Sequence, residues 1–151
     1  MLITSHFFFT VLISKLLSLT GLEFYFALIA GVAVDIEHLF VNNKWIRDVK
    51  NFFQLKKIEQ GVNQHSLLQE PLFGISTALL VGIILHFTLT IRWWISPLFL
   101  ASHIFFDALM KFSHYPWQPF NKFHYRGFIP SGTRREFYIS IVALIILFIF
   151  Y

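Results

Sequence analysis

Cysteine is absent from this 151-residue chain, and charged side chains make up only 13% of it. The first absence removes disulfides, thiolate nucleophiles and cysteine-ligated metals together, so a bound metal has only His, Asp and Glu to hold it. The second sets the chain apart from soluble domains, which carry about 25% charged residues, and places it in the membrane class. Glycine and proline are sparse too, at seven and five residues. No Pro/Gly/Ser-rich stretch marks a linker, and no repeat or low-complexity tract is present, so a single domain over residues 1–151 is expected. The N-terminus lacks a basic n-region and a small-residue cleavage site, which favours an uncleaved first membrane helix over a signal peptide.

What the chain has in excess is apolar surface: 56% hydrophobic residues, twenty phenylalanines and a mean hydropathy of +0.65. A spanning helix needs about 20 mainly apolar residues. Five stretches approach that length, residues 2–19, 22–41, 71–91, 93–110 and 137–151. The expected fold is therefore all-α, a polytopic membrane bundle of about five transmembrane helices. Thr20-Gly21 and Arg92 leave only tight turns, so helices one and two, and three and four, should form antiparallel hairpins. The connections 42–70 and 111–136 are long, polar and basic.

Those two connections hold ten of the twelve Lys and Arg residues, and only Lys15 and Arg92 fall toward the other side. The positive-inside rule then puts the N-terminus and both long loops in the cytoplasm and the C-terminus outside a plasma or inner membrane. Trp45, Trp93, Trp94 and Trp117 lie at expected helix ends or in the adjoining loops, as an aromatic belt requires. The net charge of +4 is spent on topology rather than on a basic stripe, so membrane lipids and not nucleic acid are the expected partners.

Against this apolar background two strings stand out, Asp35-Ile36-Glu37-His38 and His103-Ile104-Phe105-Phe106-Asp107. A charged side chain at mid-bilayer costs at least about 2.5 to 3.5 kcal/mol, so such groups require a reason. On a helix Asp35 and His38 are spaced i, i+3 and His103 and Asp107 i, i+4, and each pair can aim at one point. With alternating spans, His6, Asp35, His38, His65, His103 and Asp107 all reach the cytoplasmic leaflet. Taken singly, each is explained by an interhelical hydrogen bond or an ion pair. Taken together, six convergent His and Asp side chains exceed the three protein ligands of a catalytic zinc, and they suggest one or two divalent ions, Zn first with Mn or Fe as alternatives. Asp35 would bridge a two-metal centre, and acidified water would be the nucleophile.

Glu37, at i+2 from Asp35, leaves the Asp35 face of an ideal helix and serves as ligand or catalytic base only if the helix ends there. Glu136, opening the fifth helix, is accounted for by N-terminal capping but lies on the same face. His86 lies toward the opposite side and reads as an interhelical contact. His114 and His124 belong to an aromatic loop that covers the site or lies on headgroups. Helix three starts either from a Ser66/Gln69 capping box or at Glu70-Pro71.

In order and spacing these residues resemble the membrane-bound metal-dependent hydrolases, an inner-membrane family also described as LexA-binding. That family shows an early His, then Pro-Asp-Ile-Asp-His, His-Arg-Gly-x-Thr-His-Ser, Ser-His-x-x-x-Asp and a Glu before a final span. Here the counterparts are His6, Asp35-Ile36-Glu37-His38, His65-Ser66, Ser102-His103 with Asp107, and Glu136. Val34 replaces the Pro, Glu37 the second Asp, and Gln60-Gly61-Val62-Asn63-Gln64 the His-Arg-Gly-x-Thr, so one family His is missing. The resemblance implies a metal-dependent hydrolase, with Glu37 and Glu136 as catalytic carboxylates, or a non-catalytic metal-binding scaffold. The His-x-x-x-Asp string is also similar to zinc-dependent phospholipases C, which implies a lipid-like or phosphoester substrate. A proton- or ion-coupled transporter is the alternative from another class, since intramembrane Asp and His also form relays. Midplane ligands and paired helix breaks would mark one, and neither pattern is present. Haem is disfavoured by the neighbouring carboxylates.

Overall fold

A computed structural model describes residues 3–36, 70–111, 113–114, 116–117, 120, 123–130 and 133–150. Its elements are α1 (Ile3–Leu16), α2 (Gly21–Gly31), a 3-10 turn (Ala33–Ile36), α3 (Pro71–Leu89), α4 (Ile95–Ala108), β1 (Ser113–His114), β2 (Tyr125–Arg126) and α5 (Arg134–Phe150). The chain is mostly helical, as expected of the all-α class. One addition is the antiparallel pair β1–β2, with Ser113 opposite Arg126 and His114 opposite Tyr125, inside the connection after α4. Strands of two residues have no periodic signature to read in a sequence.

Helix ends follow local chemistry. The Ser18 N–H reaches the Lys15 carbonyl and the Leu19 N–H the Ser14 carbonyl, at 3.0 and 2.9 Å. With Ser18 at φ 51°, this is a Schellman stop for α1 without the usual glycine. Helix α3 starts at Glu70-Pro71, with extended Glu70 as N-cap and Pro71 in the first turn, where a missing N–H costs nothing. The competing Ser66/Gln69 start lies outside the described residues. At the other end Thr90 caps α3 in the left-handed region at φ 56°, an uncommon place for a β-branched residue. Thr90→Gly is expected to relieve that strain and stabilise the fold by up to about 1 kcal/mol. Thermal unfolding in detergent checks this, and a lower midpoint would contradict it. Helix α5 starts with Thr133 as N-cap, the Glu136 N–H donating to Thr133 Oγ1 at 3.2 Å.

Helix α4 is the centre of the bundle, with α2 and α3 on its flanks, while α1 packs on α2 and α5. Its buried stripe, Ile95, Ser96, Phe99, Leu100, His103, Ile104 and Asp107, follows the i, i+3, i+4 period of a core-facing helix. The upper part meets Leu19, Ala27 and Ile91, and Leu100 and Ile104 meet Ala78. Gly82 permits the tight α3–α4 hairpin, since a Cβ there would lie 2.1 Å from the Trp93 carbonyl oxygen. The two inter-helix turns are joined by Arg92, whose Nε donates to Glu23 Oε1 at 2.8 Å and whose guanidinium lies 4.9 Å from the Trp94 ring. Hydrogen bonding to Glu23 raises the Arg92 pKa above its ordinary value. Helices α1 and α5 run parallel: Ser140 Oγ donates to Thr4 Oγ1 at 2.9 Å, Ser5 Oγ to Glu136 Oε1 at 3.0 Å, and Lys15 Nζ sits 5.6 Å from the Phe148 ring.

Three of the expected spans are shorter than the sequence suggests. Helix α1 covers 14 residues, α2 only 11, and α4 14. The continuous helix expected over 22–41 stops at Gly31 and re-forms as a 3-10 turn. Val32 and Val34 pay a χ1 penalty in helix, and Gly31 is held against α1. Among the described residues, α3 alone is long and apolar enough to cross a membrane.

Candidate metal centre

The inward face of α1 is polar. His6, Thr10 and Ser14, at i, i+4 and i+8, are buried together with Ser5, whereas Ile3 and Leu16 are exposed. Gly31 makes close contact possible on this face, because a Cβ there would fall 2.3 Å from Thr10 Oγ1. That approach brings the end of α2 between α1 and α4, and the 3-10 turn then carries Asp35 back into the gap. From α4, His103 and Asp107 enter one helical turn apart. His6, Asp35, His103 and Asp107 each offer a ligand atom within 4.8 Å of the others.

The arrangement is reciprocal. His6 Nε2 lies 3.0 Å from Asp107 Oδ1 and 3.7 Å from Asp35 Oδ2. His103 Nε2 lies 3.4 Å from both Asp35 Oδ1 and Asp107 Oδ2. Each Nε2 therefore faces both carboxylates, and each carboxylate faces both rings. The rings themselves stack, with centroids 3.8 Å apart and planes 13° from parallel. Two unit positive charges at about 4 Å repel by roughly 4 kcal/mol at an effective dielectric of 20, so the stack disfavours two imidazolium ions.

The tautomer of His103 is fixed from the far side. Its Nδ1 lies 3.0 Å from the Gly31 carbonyl oxygen, which can only accept, so Nδ1 carries a proton. In the neutral ring the lone pair is then on Nε2, which is buried and has no hydrogen-bond partner. A backbone carbonyl orienting a histidine whose other nitrogen faces carboxylates is the outer-shell pattern of metal sites. The donor set fits a divalent ion: two imidazole nitrogens and two carboxylates, borderline to hard, with two negative charges to neutralise. The same four contacts act as salt bridges when the rings are protonated, and His6 already makes a true hydrogen bond to Asp107.

Of the eight residues singled out in the sequence, the structure gathers these four. Glu37, His38 and His65 lie outside the described residues. Glu136 is not in the group; it accepts from Ser5 Oγ, on the residue that precedes His6 in α1. His86 faces elsewhere, its Nδ1 3.0 Å from the Ile91 carbonyl oxygen in the α3–α4 turn. Two contributors escaped sequence reasoning. The Gly31 carbonyl is backbone and has no sequence signal, whereas Thr133, the N-cap residue of the helix that Glu136 opens, is a legible capping residue not singled out by name. Gly31→Ala is expected to push α2 from α1, displace the carbonyl from His103 and weaken metal binding about 10- to 100-fold, the usual cost of losing an outer-shell partner. Competition titration with a chromogenic chelator measures this, and unchanged affinity would remove Gly31 from the site.

In comparisons with known proteins, no family model, no curated protein and no solved structure matches the chain.

Proposed function

We propose that this protein is a polytopic membrane hydrolase that binds a divalent metal, zinc being the best fit, through His6, Asp35, His103 and Asp107 and cleaves a lipid-like ester or phosphoester at the cytoplasmic leaflet. The observation that carries the metal is His103 Nε2, buried without a hydrogen-bond partner and facing two carboxylates. When bound, such an ion acidifies water toward pKa 7 and polarises a scissile oxygen. Asp35 and Asp107 would neutralise the ion, the Gly31 carbonyl aims His103, and Glu136, held by the Ser5 hydroxyl, is the candidate proton acceptor. Glu37 keeps the same candidacy.

The membrane reading is supported by an inverted distribution of polarity. Helix α1 turns its hydroxyls and imidazole inward, while α3 has a mean hydropathy of 2.1 in its best window with only 17% of it buried. Helix α5 leaves Ile139, Val142, Ile145, Ile146, Phe148 and Ile149 at least half exposed. In water such contiguous surface would be an aggregation liability, and in a bilayer it is the solvent-facing side. A second reading, a proton relay in a carrier, is favoured by the direct His6–Asp107 hydrogen bond.

Elemental analysis of the purified protein decides between them. The hydrolase reading expects about one or two zinc equivalents per chain, and exhaustive chelation should lower the unfolding midpoint because the ion binds only the folded state. A metal-free preparation whose midpoint ignores both chelator and added zinc would favour the relay and overturn the metal centre.

A further inference from the structure

The first turns of α3 and the loop between β1 and β2 enclose an open groove of about 270 Å³, lined by Pro71, Leu72, Ile75, Ser76, Pro116 and Trp117. Its walls are almost wholly apolar, and its volume is at the small end of ligand pockets, about 300 to 1,000 Å³, suited to part of one alkyl chain. Depth in the bundle is set by the antiparallel α3–α4 hairpin. Ala78 packs on Leu100 and Ile104, so the turns of α3 before Ala78 lie level with the last two turns of α4, which carry His103 and Asp107. The groove is thus at the depth of the His/Asp cluster, one helix away from it.

The hairpin that supplies Pro116 and Trp117 is amphiphilic in the same sense. Trp117, Phe120, Phe123 and Phe128 are all more than half exposed. Lys111 and Arg126, both exposed, sit together at its base, where Arg126 Nε approaches the Lys111 carbonyl at 3.4 Å and the Lys111 N–H binds the Ile129 carbonyl at 2.8 Å. An apolar groove and two exposed cations at the base of the hairpin that forms one of its walls match a molecule with an acyl chain and an anionic head.

We propose that this groove binds an anionic glycerophospholipid of the surrounding leaflet, one acyl chain against Trp117 and the α3 turns and the phosphate against Lys111 and Arg126. The inference rests on the membrane reading above and extends it by naming a lipid class for the site's immediate neighbourhood. Two cations at a membrane surface give up to about a 30-fold preference for an anionic over a zwitterionic headgroup.

The test uses the full chain in nanodiscs containing brominated phosphatidylglycerol or, in parallel, brominated phosphatidylcholine, with the Trp117 signal taken as the difference between wild type and Trp117→Phe. Quenching of Trp117 by the glycerol lipid at a lower mole fraction than by the choline lipid is expected. The double variant Lys111→Gln/Arg126→Gln should lose that preference, and Ser76→Phe, which fills the groove, should reduce quenching by both lipids. Equal quenching by the two lipids, or a preference that survives loss of both cations, overturns the proposal. Zinc content is measured on the same samples: a metal-free protein that keeps the lipid preference overturns the hydrolase reading and leaves the groove, whereas a zinc-loaded protein without preference overturns the groove alone.

Discussion

His103→Ala is expected to abolish retention of zinc through purification, with an affinity loss beyond the roughly 100-fold seen when only an outer-shell partner is removed. Three effects act together. One ligand atom disappears, the Gly31 carbonyl loses its donor, and His6 loses the ring stacked on it at 3.8 Å. What remains is Asp35 facing Asp107 with one imidazole between them, so the apo variant retains buried, under-compensated charge. Breaking a buried ion pair in this way costs about 3 to 5 kcal/mol, enough to lower the midpoint by several degrees. Asp107→Asn separates metal from packing, because it keeps shape while removing charge from the residue that faces both rings. It should also lose the ion. Mass spectrometric metal analysis on matched preparations reads the result, and retention of full zinc by either variant would place the ion elsewhere.

Leu80→Arg is expected to have the second large effect, and its sign distinguishes bilayer from water. Leu80 is in the middle of α3 and 60% exposed. If α3 faces water, an arginine there replaces an exposed apolar side chain and improves solubility. If α3 faces lipid, the substitution adds about 2.5 to 3.5 kcal/mol to insertion and the membrane-fraction yield falls steeply. Lys at the same position should behave alike, whereas Leu80→Phe should be neutral. Comparing yields after carbonate extraction is sufficient, and unchanged yield of Leu80→Arg in the pellet would refute the lipid-facing assignment.

Half of the candidate centre was legible as local spacing. His103 and Asp107 belong to one continuous helix, so the i, i+4 rule alone places Nε2 and Oδ2 together, and they are 3.4 Å apart. Asp35 was legible as a residue and not as geometry. The helix expected to present it ends at Gly31, and Asp35 reaches the centre from a 3-10 turn. The difference arises because one straight helix was expected over 22–41, whereas close packing of Gly31 on Thr10 diverts the chain; the Asp35–His38 spacing extends beyond the described residues. His6 was placed by alternation of the spans, a tertiary inference that needs only the order of apolar segments. The hairpin at 113–126 was illegible, because two-residue strands are specified by their partners rather than by periodicity. Helix lengths were overestimated for a related reason: apolar composition continues past points where backbone geometry turns, as at Trp93 and Leu109.

The His6–Asp107 hydrogen bond joins residues 101 positions apart, and this distance has a meaning in time. At a synthesis rate of about 5 to 20 residues per second, Asp107 leaves the ribosome roughly 5 to 20 s after His6. Throughout that interval α1 carries an imidazole whose Asp107 partner does not yet exist, and the Thr4 and Ser5 hydroxyls wait longer still, for Ser140 and Glu136. The contacts that fix the chain's first helix against its last two therefore form late, however early that helix is made.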